Sequence, residues 1–289
     1  MSFETKEKIA TQGGWLLKLS HEAKTVKSTM NVNVFFPGPV DSENKYPVLF
    51  YLSGLTCTPN NCAEKGFIHV WAAQHGIAVV WPDTSPRGAN LPGEDDDWDF
   101  GSGAGFYVNA TRDPWKDHYN MYSYVSSELP SQLYSNFPSL DGDRVSITGH
   151  SMGGHGALTL FLKNPGKYKS VSAFSPICNP SKAPWGQKAF KGYFGDDNLP
   201  QWANYDATEL IKHYTGPTPE ILIDVGSEDN FYKQGQLLPE NLVQASNGTE
   251  YEGKIQYNLR AGYDHSYYFV SSFGRDHVEH HAKYLKNMS

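Results

Sequence analysis

The sequence predicts an α/β fold: a mostly parallel central sheet with helices on both faces and antiparallel strands at its N-terminal end. Short apolar runs recur with turn residues at both ends, helical stretches separate them from residue 47 onward, and only the segment before residue 37 alternates loosely between apolar and polar. A strand covered on both faces has no polar side, so brief all-apolar runs suit a parallel sheet, whereas alternation marks antiparallel strands wetted on one face.

Residues 15–36 alternate and stop at Pro37, Gly38 and Pro39, which predicts paired antiparallel strands ending in a turn. Residues 47–52 (PVLFYL) read as a strand closing in Ser53-Gly54, 67–74 as a helix stopped by Gly76, and 77–81 (IAVVW) as a buried strand, together a β-α-β unit. Residues 84–109 show neither period and predict an extended loop over the top of the sheet; a helix over 121–134 follows. Strands over 145–148, 170–174, 220–225 and 254–259 then alternate with helices over 153–162, 236–245 and beyond Tyr267. Pro, Gly and Ser are nowhere pooled into a linker, so residues 1–289 are expected to form a single domain. In this architecture ligands sit beyond the carboxyl ends of the strands.

With 39% hydrophobic and 14% aromatic residues, the chain can fill a packed core and still line a pocket with rings. A net charge of −7 without a Lys/Arg cluster gives no footprint for nucleic acid or anionic lipid. The N-terminal ten residues lack an apolar stretch and no segment is long and apolar enough to span a bilayer, so a cytoplasmic location without membrane attachment is expected. The three cysteines are then expected as free thiols, Cys57 and Cys62 as pocket or core residues, and no metal is expected. The acidic string 94–99 fails as a calcium loop, because counting from Asp95 puts Phe100 and Phe106 where Gly and Glu belong; it reads as a solvated loop. Gly101, Gly103 and Gly105 lack the strand and Lys-Ser/Thr of a phosphate loop.

Gly149-His150-Ser151-Met152-Gly153 spells GxSxG between a predicted strand and a predicted helix. That context marks a sharp turn that holds a serine hydroxyl out at the top of the sheet, the nucleophile elbow of the α/β-hydrolase fold. A serine needs a neighbouring base, and in this fold the partners follow it in the order acid, then histidine. His265 fits, in the loop after strand 254–259, and Asp229 is favoured as the acid over Asp224 and Glu228 because it falls in the loop after its strand. His150 is expected to point away from Ser151, His155 to pack within its helix, and His277, His280 and His281 to be solvated on a polar terminal helix. Backbone N–H groups of Met152 and Leu55 are the expected oxyanion donors.

The words around these residues resemble the S-formylglutathione hydrolase (esterase D) family: SGLTCT at 53–58, PDTSPRG at 82–88, DWDFGSGAGFYV at 97–108, GHSMGGHGAL at 149–158, SPICNP at 175–180 and GYDHSYYF at 262–269. The resemblance implies hydrolysis of S-formylglutathione to glutathione and formate in the cytoplasm, by a homodimer without a cofactor, with side activity on small carboxylic esters. Residue by residue it implies the triad Ser151, Asp229 and His265, the oxyanion donors Leu55 and Met152, a thiol at Cys57 near the active serine that is not the nucleophile, and Trp185 as a wall of the acyl pocket. A general carboxylesterase and a catalytically inactive α/β-hydrolase used as a binding module are the alternatives.

Overall fold

The structure is a computed structural model describing residues 2–286; positions 1 and 287–289 of the expected 1–289 domain lie outside the described residues. A nine-stranded sheet in the order β1-β2-β3-β5-β4-β6-β7-β8-β9 organises it. Strands β1 (Glu4–Thr11), β2 (Gly14–Ala23) and β3 (Ser28–Phe36) are antiparallel and hand over antiparallel to β5 (Ala78–Pro82). From β5 through β4 (Tyr46–Leu52), β6 (Leu140–Gly149), β7 (Val171–Phe174), β8 (Ile221–Gly226) and β9 (Ile255–Arg260) every pairing is parallel. The predicted fold class is therefore observed.

Side chains alternate across a strand, and the apolar β4 and β5 supply both faces at once. Val48, Phe50, Leu52, Ala78 and Val80 enter one core, while Leu49, Tyr51, Val79 and Trp81 enter the other. Helices α1 (Pro59–Lys65) and α2 (Ile68–Gln74) cover the second face with the C-terminal helix; α3 (Leu129–Asn136), α4 (Met152–Lys163), α5 (Pro184–Phe194) and α6 (Pro239–Ala245) contribute to the first. The predicted helix at 121–134 runs on to Asn136 and contains one π turn, Tyr124–Glu128, where the Leu129 N–H reaches the Tyr124 carbonyl just before Pro130, which has no N–H to give. Strand β1 carries almost no apolar residue, as suits an exposed edge protected by charge.

Two expectations are corrected. The C-terminal helix α7 (Tyr267–Lys286) does not present its histidines to solvent: His277, His280 and His281 are buried with Val270, Gly274, Val278, Ala282 and Leu285. These positions recur at helical spacing, so the histidines belong to the packed stripe. Residues 170–172 bond to them: His281 bridges the Ser170 and Ser172 hydroxyls at 2.7 and 2.8 Å, His277 Nδ1 meets Ser172 Oγ at 2.8 Å, and His280 Nε2 lies 3.2 Å from the Val171 carbonyl. The acidic stretch is solvated at Asp95, Asp96 and Asp97 but not at Glu94, which is buried and accepts from the Tyr119 hydroxyl at 2.8 Å. The loop around it is interior, with Ala104, Phe106, Tyr107 and Val108 fully buried. Among the described residues, no helix is long and apolar enough to cross a membrane.

Candidate active site

Ser151 joins β6 to α4 with φ 59° and ψ −119°, a conformation that a non-glycine residue holds only when its surroundings impose it. Here they do. A Cβ on Gly149 would lie 2.1 Å from the Gly153 carbonyl oxygen, and one on Gly153 would lie 1.9 Å from that of Leu52. Only glycine lets the elbow fold this closely on β4. Hydrogen bonds then hold it: Ser151 N–H donates to Phe174 O at 2.9 Å, and Ser151 O accepts from His155 N–H at 3.0 Å.

His265 follows β9, and its Nδ1 is 2.5 Å from Asp229 Oδ2. Asp229 is fully buried beyond β8, where Oδ1 accepts the Phe231 and Tyr232 N–H groups at 2.8 and 3.3 Å as the N-cap of the short helix Asn230–Lys233. Burial works against its charge, but the hydrogen bond and charge of His265 and the two N–H groups together hold its carboxyl below the usual carboxylate range. An ionised Asp229 accepts from His265 Nδ1–H, the tautomer that leaves Nε2 with a free lone pair. Asp224 is equally buried but turns to Asn258 at 2.7 Å, Arg260 at 2.9 Å and His277 at 3.4 Å, so the structure pairs His265 with Asp229. Glu228 is exposed and bonded to Lys233.

Ser151 and His265 open onto one cavity of about 320 Å³. Leu55, Cys57 and Trp185 also line it; Met152 does not, its side chain being buried in the core while its N–H is the first of α4. Gly54 passes so close to the elbow that a Cβ there would be 3.1 Å from Ser151 Cβ, which brings the turn carrying Leu55 beside the serine. Among the described residues, the Leu55 and Met152 N–H groups have no acceptor, whereas those of their neighbours Thr56 and Gly153 donate to Gly103 O and His150 O at 2.9 and 2.8 Å. Two free donors flanking a serine suit a developing oxyanion.

Cys57 is half-buried with Sγ 3.4 Å from the Tyr267 hydroxyl, and burial pushes its thiol up, away from the thiolate. Burial drives Cys62 further, to about 12, and all three cysteines are unpaired. Trp185 packs edge-on to Trp98 at 5.7 Å and against Phe231 at 4.5 Å. Among the described residues no three His, Cys, Asp or Glu side chains gather as a metal site.

His150 departs from expectation. Its ring lines the cavity 4.5 Å from that of His265, and burial, then the neighbouring His265 charge, pushes its pKa well below the ordinary value, so it stays neutral. His155 packs as expected, buried with Nε2 2.8 Å from Phe106 O. The cavity also uses Trp98, Phe231 and Tyr267, which the sequence reading did not single out. Trp98 lies inside the DWDFGSG word, and a tryptophan set between two aspartates was the available signal.

The Putative esterase family model matches residues 23–287. The S-formylglutathione hydrolase of Rattus norvegicus is 54% identical over 273 residues, covering 94% of this chain and 95% of its own, and that of Saccharomyces cerevisiae is 48% identical, covering 94% and 96%. The solved S-formylglutathione hydrolase of Agrobacterium tumefaciens superposes with a TM-score of 0.91 at 44% identity, over 99% of this chain and 100% of that one. By its fold, by the acid–histidine pair beside a serine elbow and by these likenesses, the chain belongs to the S-formylglutathione hydrolase family.

Proposed function

We propose that the protein hydrolyses the thioester S-formylglutathione to glutathione and formate, with Ser151 as nucleophile, His265 as general base and Asp229 as the carboxylate that orients it. The observation that carries this reading is the 2.5 Å Asp229–His265 pair opening, with the strained Ser151, onto one cavity. Ser151 Oγ attacks the formyl carbon as His265 Nε2 takes its proton, and the carbonyl oxygen becomes an oxyanion facing the N–H groups of Leu55 and Met152. Collapse breaks the C–S bond, and His265 returns the proton to the departing thiolate. Water, deprotonated by the same imidazole, then attacks the formyl ester, releasing formate and restoring the serine. A thiolate leaves more readily than an amine, so little general-acid help is needed. Cys57 is held as a thiol and stays a bystander to this chemistry.

Trp185 is assigned to the acyl wall on its place in the cavity, where it packs against Phe231. We further infer a single cytoplasmic domain that pairs as a homodimer, a reading supported by the lack of a linker-like stretch and by the family resemblance. The test compares turnover of S-formylglutathione, S-hexanoylglutathione and p-nitrophenyl acetate by wild type and Ser151→Ala. The expected result is a strong preference for the formyl thioester that vanishes with Ser151; equal rates on the two thioesters would leave only a general esterase.

A further inference from the structure

The word PDTSPRG at residues 82–88 has no part in the triad, yet its Thr84 and Arg87 bond to the Cys57 carbonyl in the turn that carries Leu55. We propose that Asp83, Thr84 and Arg87 form a brace that aims the Leu55 N–H at the reacting carbonyl, which makes Thr84 and Arg87 positioning residues; this deepens, and rests on, the reading of Leu55 as an oxyanion donor.

The peptide plane fixes the geometry. The Leu55 N–H belongs to the same trans peptide as the Gly54 carbonyl, so the two point in opposite directions. That carbonyl accepts from Cys57 N–H at 3.2 Å, and holding Cys57 therefore fixes where the Leu55 N–H points. The turn is strained: Thr56 sits at φ 68°, a left-handed conformation unfavourable for a side chain branched at Cβ. Two outside tethers keep it there. Thr56 N–H donates to Gly103 O at 2.9 Å, and the Cys57 carbonyl accepts from both Thr84 Oγ1 at 2.6 Å and Arg87 Nη2 at 3.0 Å. Both lone pairs of that oxygen are thereby engaged.

The donors are themselves rigid. Arg87 forks onto Asp83, with Nε on Oδ2 and Nη2 on Oδ1, each at 2.9 Å, and Asp83 Oδ1 also accepts Thr84 N–H at 2.7 Å. Asp83 and Thr84 are buried directly after β5, so the brace ties the turn to the sheet. An ion pair between a half-exposed arginine and a buried aspartate need not add stability, since desolvation offsets its attraction. This one carries a second bond, from the same guanidinium nitrogen, into the turn beside Ser151.

The test uses Thr84→Val and Arg87→Ala, with Arg87→Lys to ask whether charge without the planar fork suffices. Measured quantities are kcat and KM on p-nitrophenyl acetate and the affinity for a small thioether trifluoromethyl ketone, whose serine adduct carries an oxyanion. Each of Thr84→Val and Arg87→Ala is expected to lower kcat and ketone affinity in parallel by about tenfold with KM within about twofold, and Arg87→Lys to recover only part. A purely structural role would lower the melting temperature without this matched loss. Folded variants that keep ketone affinity within about twofold of wild type overturn the brace. Should Arg87→Ala not fold, Thr84→Val, which exchanges a hydroxyl for a methyl group, decides alone. A wild-type protein that binds the trifluoromethyl ketone no tighter than its methyl ketone counterpart would instead sink the oxyanion reading itself.

Discussion

Asp229 and His265, 36 residues apart in the chain, meet at 2.5 Å because β8 and β9 are neighbouring parallel strands that end at the same edge of the sheet. Asp224 lies only five positions before Asp229 but is held within β8, facing His277 and Arg260 instead. The two carboxylates therefore predict opposite phenotypes. Asp229→Asn should lower kcat by roughly 10³ to 10⁴ in a protein that still folds, because the imidazole loses the partner that sets its tautomer. Asp224→Asn should leave most of kcat and lower stability by about 1 to 3 kcal/mol, because His277 and Arg260 lose a buried partner. Steady-state rates and thermal melts on both variants decide; the reverse pattern would return the catalytic role to Asp224.

The pH dependence of stability has a separate origin in α7. Burial, and then the charges of neighbouring histidines, push His280 down to about 4 and His281 well below the ordinary histidine value, while burial lowers His277 against the opposing pull of Asp224. Each is neutral in the fold and charges readily once unfolded, so the unfolded chain binds more protons below about pH 6.5. Stability is thus complete above that value and falls as the pH drops toward 4, by up to about 1.4 kcal/mol per unit for each such histidine. Asp229 adds a later loss: the contribution of its depressed carboxyl is full above the ordinary carboxylate range and is lost as the pH falls through that range to the lower folded value. Denaturant titrations between pH 7.5 and 4 at constant ionic strength check this, and stability independent of pH would refute it.

What the sequence reveals follows from how local each cause is. Residues 47–52 and 77–81 are apolar throughout because β4 and β5 are covered on both faces, so their burial is legible residue by residue. The Ser151 turn is legible for a similar reason: its glycines answer contacts with Gly153 and Leu52 that the motif itself implies. The histidines of α7 are not legible. Their burial depends on hydroxyls of Ser170 and Ser172 more than a hundred residues earlier, and a hydropathy pattern scores histidine as polar whatever faces it. Strand β1 escapes for the opposite reason, since an exposed edge strand needs charge rather than apolar alternation. His150 is misjudged because the elbow fixes its backbone, while its ring direction is set by His265 and Tyr267 from the far end of the chain.

Trp185 and Trp98 meet edge-on across the cavity, Trp98 being held on a strap whose Asp97 and Asp99 both pair with Lys188. Removing the buried indole should open the acyl side. Trp185→Ala is expected to raise the ratio of S-hexanoylglutathione to S-formylglutathione turnover by roughly tenfold, within the range that pocket contacts of this size supply. It should also destabilise the fold by about 3 to 5 kcal/mol, as loss of a buried ring does. An unchanged acyl preference in the folded variant would remove Trp185 from the acyl wall.

Cys57 separates bystander from nucleophile. Its sulfur lines the cavity and burial keeps it protonated, so alkylation should be slow at neutral pH and accelerate as the pH rises toward the displaced thiol value. Once formed, the adduct occupies the same cavity as Ser151 and should abolish turnover by obstruction. Cys57→Ala is therefore expected to keep kcat within about threefold of wild type, since the thiol takes no part in bond making, while losing all sensitivity to iodoacetamide. A fluorophosphonate probe supplies the complementary measurement: it should label Cys57→Ala as fast as wild type and leave Ser151→Ala untouched. Loss of turnover in Cys57→Ala together with retained activity in Ser151→Ala would exchange the two roles, and the raised thiol pKa argues against that exchange because a neutral thiol is a weak nucleophile.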